Sequence, residues 1–318
     1  VHRWRIALIG PELLRQLSEH ARIASITASN AIEGVLVESR RAEQIAEGSR
    51  RYRNRNEREF AGYRDAVDML VALDSYEPLN VPFVLHLHRL LFAHSGGRAG
   101  SLKSDENLIV SHESGRREVI FTPPSPEETE FLLGELLVRY EEAKRDASAH
   151  PLILIGALIL DFLAIHPVAD GNGRLARLLT THELLAQGYG VARYVSIEQR
   201  VYESKNSYYA SLYESQRDWN EAEHDVWPWI AYLCRILADA YDDFGRRVAE
   251  AGTQTGSKQV RVREYALRQA PKRFRRRDIE RALPGVSTAT IRLVLAELRD
   301  EGAIRPEGSG RGAHWTRL

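Results

Sequence analysis

Across the first 250 residues apolar side chains recur every three to four positions, the spacing that places them on one face of a helix. The runs "PELLRQLSEHARIASI" (11–26), "YRDAVDMLVAL" (63–73), "VPFVLHLHRLLFAH" (81–94), "PEETEFLLGELLVRYEEAK" (126–144) and "PLILIGALILDFLAI" (151–165) all carry it. Proline or glycine stands near most of their ends, where helices start or stop. One stretch departs from the pattern. "NLIVSHESGRREVIFTPP" (107–124) holds two short β-prone runs about Glu113, Ser114 and Gly115, which predicts a hairpin. Further on, "KQVRVREYALRQA" (258–270), "RRRDIERALP" (275–284) and "STATIRLVLAELRDEG" (287–302) read as three helices with a turn at Pro284-Gly285. The final 16 residues, "AIRPEGSGRGAHWTRL", read as two short strands about a glycine-rich tip. The fold class is mainly α, with a hairpin in the larger part and a small α+β unit after it.

Composition adds a boundary and a charge asymmetry. The chain has 318 residues, 43% of them hydrophobic and 28% charged, enough for one large core and a small second domain. Its net charge of zero is a cancellation: residues 258–318 hold 15 Lys/Arg against 7 Asp/Glu, and residues 1–257 hold 29 against 37. Two partners of different kinds are expected. Between the halves "AGTQTGS" (251–257) is uncharged and rich in small residues, so a linker is expected there. The predicted organisation is therefore 1–250, a linker at 251–257, and 258–318. A single cysteine, Cys234, excludes both a disulfide and a cysteine metal cluster within the chain. The longest apolar run, Pro151 to Leu160, is short of the roughly 18 residues a membrane span needs. With no charged-then-apolar leader at the start, a cytoplasmic location without a membrane partner is expected.

The chemistry concentrates in "HPVADGNGRLAR" (166–177), where the apolar 151–165 helix ends. Pro167 disfavours a helical conformation at His166, and Gly171 and Gly173 permit positive φ. The amides of Gly171, Asn172 and Gly173 can then point inward as a nest, and a helix opening near Asn172 adds its N-terminal dipole, a combination suited to phosphate oxygens. Arg174 and Arg177, three apart on that helix, can both lie near its first turns and neutralise a polyphosphate. Asp170 suits magnesium bridging phosphates. His166, at the rim, can take a proton from an attacking hydroxyl near neutral pH. Each piece alone has a structural alternative: a helix-end histidine, a turn, a solvated arginine pair. Together they specify nucleotide phosphates, a metal and an incoming nucleophile.

At these residues the sequence resembles the Fic family, whose motif is His-Pro-Phe-x-Asp/Glu-Gly-Asn-Gly-Arg-x-x-Arg, with Val168 standing in place of phenylalanine. The resemblance implies a Fic-type helical domain that transfers AMP from ATP, with Mg2+, to a Ser, Thr or Tyr hydroxyl of a target protein. In it His166 is the base, Asp170 holds magnesium, and Gly171, Asn172, Gly173, Arg174 and Arg177 bind phosphates. Gly173 and Arg174 favour AMP over phosphate transfer. The 106–123 segment looks like the family's flap hairpin, whose strand edge would hold a target segment by main-chain pairing. "GSLK" (100–103) stands where many relatives have Gly-x-Tyr-Arg. The segment 204–233 resembles the nucleoside-side helix, on which Tyr209 and Gln216 could contact ribose and adenine. "SNAIEG" (29–34) reads by itself as a helix end capped by Gly34. It also resembles the family's inhibitory helix, here about residues 25–35, with Ser29, Glu33 and Gly34 on the motif; Glu33 would pair with Arg177 and deny it to the γ-phosphate.

The basic C-terminal part resembles a winged helix-turn-helix domain. Its third helix would turn Ser287, Thr288, Thr290 and Arg292 toward a major groove, with Arg311 on the wing and "KRFRRR" (272–277) meeting phosphates of duplex DNA. A protein-docking role is the alternative, as is a regulator in which the Fic part senses nucleotide. An intact His166 favours the enzyme, since a sensor needs no base. Homo-oligomer formation is left open by the sequence.

Overall fold

The computed structural model describes residues 11–73, 75–96, 99–111, 118–308 and 314–318. It divides into two compact units, Val1–Phe244 and Gly245–Leu318.

The first unit is a helical assembly. Helices α1 (Pro11–Ile32), α2 (Ser39–Ala46), α3 (Arg55–Val71) and α4 (Val81–Leu91) precede a two-stranded antiparallel hairpin, β1 (Ile109–Ser111) and β2 (Glu118–Phe121). Val110 pairs with Val119 and Ser111 with Glu118; the turn with Glu113, Ser114 and Gly115 lies outside the described residues. Helices α5 (Pro126–Arg145), α6 (Pro151–Ile165), α7 (Asn172–Ala186), α8 (Ile197–Glu203) and α9 (Lys205–Gln216) follow, and α10 (Trp227–Glu264) begins in this unit. Local chemistry sets the starts: Asn54 accepts from the Glu57 amide at 2.9 Å and Asn80 from the Phe83 amide at 2.9 Å, satisfying first-turn donors. As its pattern predicts, α6 is central, with Ile155, Leu158, Ile159, Leu160, Phe162 and Leu163 buried. Gly156 makes this possible, because a Cβ there would sit 2.7 Å from Ile230. Gly62 plays the same part between α3 and α4, where a Cβ would fall 2.1 Å from the Leu91 carbonyl oxygen.

The expected linker at 251–257 is helical, inside α10, and the division between units falls ahead of it at Phe244/Gly245. Glycine at 252 and 256 disfavours helix by about 1 kcal/mol each. Helix is propagated from the residues on either side, since extension costs less than nucleation.

In the second unit the end of α10 leads through a π turn (Tyr265–Gln269) to β3 (Arg273–Phe274), α11 (Arg276–Ala282), α12 (Thr288–Asp300), β4 (Ile304–Glu307) and β5 (His314–Arg317). The sheet is antiparallel, order β3-β5-β4, with Trp315 opposite both Phe274 and Pro306. Its core joins Val262, Phe274, Ile279, Ile291, Val294, Leu298 and Ile304. Among the described residues, no helix is long and apolar enough to cross a membrane.

Candidate active site

The site forms where α6 stops. His166 is its C-terminal cap in the left-handed conformation, φ +50° and ψ +60°. A non-glycine residue there costs roughly 1–2 kcal/mol, so the surroundings must hold it. They do so through the carbonyls. Lys103 Nζ donates to the Ile165 oxygen at 3.0 Å and the Lys103 amide to the Pro167 oxygen at 2.9 Å. Asn107 Nδ2 donates to the oxygens of His166 and Val168 at 3.2 and 3.1 Å. From the other side, Asn172 accepts from the Val168 amide at 3.0 Å and donates to its carbonyl at 2.7 Å. Val168 itself is fully buried, the anchoring role that its apolar side chain can fill. Buried His88 accepts the Gly100 amide on Nδ1 at 3.0 Å and hydrogen-bonds the Asp170 carbonyl.

His166 Nδ1 lies 3.2 Å from the Leu163 carbonyl oxygen. A carbonyl only accepts, so in the neutral ring Nδ1 carries the proton and Nε2 keeps its lone pair. Burial holds its pKa below the ordinary histidine value and the charge of Lys103 adds to this, while the Leu163 carbonyl and then Glu33 act the other way. The ring is therefore neutral and able to accept a proton at pH 7.

The two arginines behave differently. Arg177 reaches back to α1: its Nε donates to Ser29 Oγ at 2.7 Å, and one Nη donates to the Ser29 carbonyl at 3.0 Å and to Glu33 Oε1 at 2.8 Å. Burial alone would raise the Glu33 pKa, yet Arg177, helped by Arg174 and Lys205, holds it below the ordinary carboxylate value. Gly34, at φ +76°, ends the turn after α1, donating to the Ala31 carbonyl at 3.1 Å. Arg174, expected beside Arg177 on phosphates, is instead 2% exposed and paired with Glu59 at 2.7 Å, its guanidinium 5.0 Å from the Phe92 ring. Its partners lie on α3 and at the end of α4, Glu59 and Phe92, whereas those of Arg177 lie on α1 and just after it.

Two further expectations change. Gly171 has positive φ, +91°, but Gly173 lies in the first turn of α7 with helical backbone. What Gly173 provides is space: a Cβ would fall 2.3 Å from Glu33 Oε1. The Glu33 carboxylate is thus seated over the N-terminal turn of α7, where an anion is favoured. Asn172 contributes no free side chain to a ligand, since both its polar atoms hold Val168.

Asp170 is exposed, with Arg55 and Arg174 nitrogens 3.6 and 3.7 Å away. Among the described residues no group of three or more potential metal ligands occurs. One exposed carboxylate fits a magnesium ion that arrives with phosphates, which supply the remaining oxygens, and not a resident metal. Tyr209 and Gln216 both lie on α9 but in different surroundings. Gln216 lines a groove of about 300 Å³ with Phe121, Tyr213 and Trp219, whereas Tyr209 is absent from that lining and has Lys205 Nζ 5.7 Å from its ring centre.

Several participants carry no role assigned from sequence: Asn107, His88 and Glu59, and Lys103, which ends the "GSLK" stretch where many relatives have arginine. Glu198 belongs with them, a buried carboxylate accepting from Ser25 of α1 at 2.7 Å and from Thr181 of α7 at 3.1 Å. Lys205 adds another hold on α1, donating to the Ile32 carbonyl at 2.9 Å.

In the second unit, Ser287 caps α12 by accepting from the Thr290 amide at 3.1 Å, its hydroxyl also meeting Thr290 Oγ1 at 2.9 Å. Thr288 donates to Glu280 at 3.1 Å. These three hydroxyls are occupied within the unit. Arg292 is exposed, and Arg311 lies outside the described residues.

Comparison with known proteins bears on residues 78–184, which match the Fic/DOC family profile. The chain is 24% identical over 238 residues to the protein adenylyltransferase Fic of Nematostella vectensis, covering 73% of this chain and 50% of that relative. It thus spans half of that relative's length. Among solved structures, a Fic domain-containing signaling protein from Bacteroides thetaiotaomicron aligns with TM-score 0.61 at 24% identity, over 73% of this chain and 91% of the other. A Fic family protein from Desulfovibrio desulfuricans aligns with TM-score 0.58 at 22% identity, over 97% and 88%. These likenesses extend the fold beyond the matched family segment.

Proposed function

Since the chain carries a Fic/DOC family domain, we propose that it is a protein adenylyltransferase, moving AMP from ATP to a Ser, Thr or Tyr hydroxyl of a target protein, and that Glu33 restrains it by holding Arg177. The observation that carries this reading is the seat of Glu33. Its carboxylate lies over the first turn of α7 and 2.8 Å from Arg177. A helix N-terminus flanked by a buried arginine is a place for a phosphate, and the carboxylate fills it with a group of the same charge.

With Glu33 displaced, Arg177 and the α7 amides bind triphosphate oxygens, and His166 Nε2 takes the proton of the target hydroxyl. The hydroxyl oxygen bonds to the α-phosphorus as the bond to the bridging oxygen breaks, and pyrophosphate leaves. Asp170 would hold the magnesium, which when bound offsets phosphate charge. The exposed edge of the hairpin offers main-chain pairing to a target segment. Gln216, with Tyr213 and Trp219, offers surfaces to a nucleobase in the groove beside β2.

Incubation of the chain and of Glu33→Gly with ATP labelled at the α- or the γ-phosphate tests the proposal. Protein-bound label from the α position only is expected. Label from the γ position only would assign phosphate transfer instead.

A second reading, a DNA-binding regulator whose Fic part senses nucleotide, draws support from the second unit. Its helix pair followed by a hairpin has the order of a winged helix. Arg277, Arg281 and Arg292 are exposed and, among the described residues, have no carboxylate within 4.0 Å. Binding of the full chain to duplex DNA, with affinity falling steeply as salt rises, is its test. Such binding would be compatible with the transferase, whereas binding with no AMP transfer in any variant would favour the regulator.

A further inference from the structure

Four consecutive carbonyls of the catalytic turn, from Ile165 to Val168, are held from outside the motif, among the described residues, by two residues. Lys103 takes Ile165 through Nζ and Pro167 through its amide, and Asn107 takes His166 and Val168 through Nδ2. The two are also tied to each other, Lys103 Nζ donating to Asn107 Oδ1 at 3.0 Å, so the amide orientation that presents Nδ2 to the turn is fixed. Lys103 is 4% exposed, and among the described residues it has no carboxylate within 4.0 Å. A buried lysine without an anionic partner is costly. This one is compensated by the negative end of α6, whose last carbonyl it meets. Retention of such a charge beside a residue in a strained conformation is unexplained by packing.

We infer that Lys103 and Asn107 form a clamp that positions His166 for proton transfer: Asn107 holds the left-handed turn that aims the ring, and Lys103 both braces the helix end and keeps a positive charge beside the imidazole. The inference rests on the transferase reading. The two residues are positioning groups, acting through His166. Among the described residues, the charged groups bearing on the ring are Lys103, which favours its neutral form, and Glu33, which opposes this. Because one residue supplies a charge and the other only geometry, their loss has separable consequences.

The test uses the full chain carrying Glu33→Gly, so that restraint by Glu33 does not enter. Lys103→Met, Lys103→Arg and Asn107→Ala are compared by NMR titration of the His166 ring, kcat, KM for ATP and melting temperature. Asn107→Ala is expected to lower kcat at least tenfold, with KM for ATP within about twofold and the His166 titration where it was. Lys103→Met is expected to lower kcat and also move the His166 titration to higher pH; Lys103→Arg should restore the titration. Should Lys103→Met not fold, Asn107→Ala and Lys103→Arg still decide the matter. Wild-type kcat in Asn107→Ala overturns the clamp, as does a His166 titration unmoved in a folded Lys103→Met. Absence of any AMP transfer in Glu33→Gly would instead refute the transferase reading, a result distinct from either, because the ring titration is read without turnover.

Discussion

Two buried arginines of the first unit and three exposed ones of the second are used in opposite ways. In the first unit Arg174 and Arg177 are 2% and 5% exposed, each held by a specific carboxylate and neighbouring groups. In the second, Arg277, Arg281 and Arg292 stand in solvent on α11 and α12. A buried guanidinium must be paired, and its partner fixes its position to within a hydrogen bond. An exposed one is unplaced and acts by long-range charge. The first arrangement suits a small ligand that must be oriented, and the second a large polyanion that need only be attracted. Even within the first unit, three residues separate an arginine that holds the scaffold from one that holds the restraint.

The largest effect is expected at the base. In the Glu33→Gly background, His166→Ala should lower AMP transfer by about 10²–10⁴-fold and leave ATP affinity nearly unchanged, since the proposed phosphate contacts lie on α7. Calorimetric ATP binding alongside a labelled-transfer assay checks both parts. Next comes the contrast between buried and exposed arginines. Arg174→Ala leaves buried Glu59 with the exposed Arg55, at 2.6 Å, as its remaining partner among the described residues, and should destabilise the chain by about 3 kcal/mol, the lower end for a broken buried pair because Arg55 still offsets part of the charge. Arg292→Ala should change stability by no more than about 0.5 kcal/mol, while reducing the salt dependence of any DNA binding by about one counterion. Equal destabilisation in denaturant titrations would remove the distinction drawn between the units.

A smaller effect tests the pairing of Glu33. Its folded pKa lies below the unfolded value because of Arg177, so its stabilisation is present above the ordinary carboxylate range and is lost as pH falls through the folded pKa. Wild type should exceed Glu33→Gln by about 2 kcal/mol at pH 7. The two should converge in acid below that range. A difference that stays constant from pH 7 to pH 3 would mean that Glu33 acts by packing.

How far all this was legible depends on where the partners are. The helices, the hairpin and the second unit follow from periodicity, because burial of one face is a property of neighbours in sequence. The turn at His166 follows from Pro167 and Gly171. Glu33 and Arg177 were joined by resemblance alone: 144 positions separate them, and no spacing rule covers that. The pairing of Arg174 is hidden for the same reason, since Glu59 is 115 positions away and lies on α3. The roles of Lys103 and Asn107 were illegible in a stronger sense, although "GSLK" marks the position of Lys103. Their partners are carbonyl oxygens, which every residue has, so no complementary side chain marks them. The 251–257 segment differs for another reason: composition reports backbone freedom, and a helix already under way on both sides can run through it.

The central claim is that one ion pair, Glu33 with Arg177, stands between this chain and AMP transfer. It is tested most directly by measuring incorporation of label from α-labelled ATP into protein for wild type, Glu33→Gly and Glu33→Gly/Arg177→Ala under the same magnesium concentration. The account predicts a rise of about tenfold or more for Glu33→Gly, since even ~1.4 kcal/mol of lost competition suffices. It predicts a return to the wild-type level or below when Arg177 is also removed, because the freed arginine is the one that orients the nucleotide. A Glu33→Gly protein no more active than wild type would contradict it.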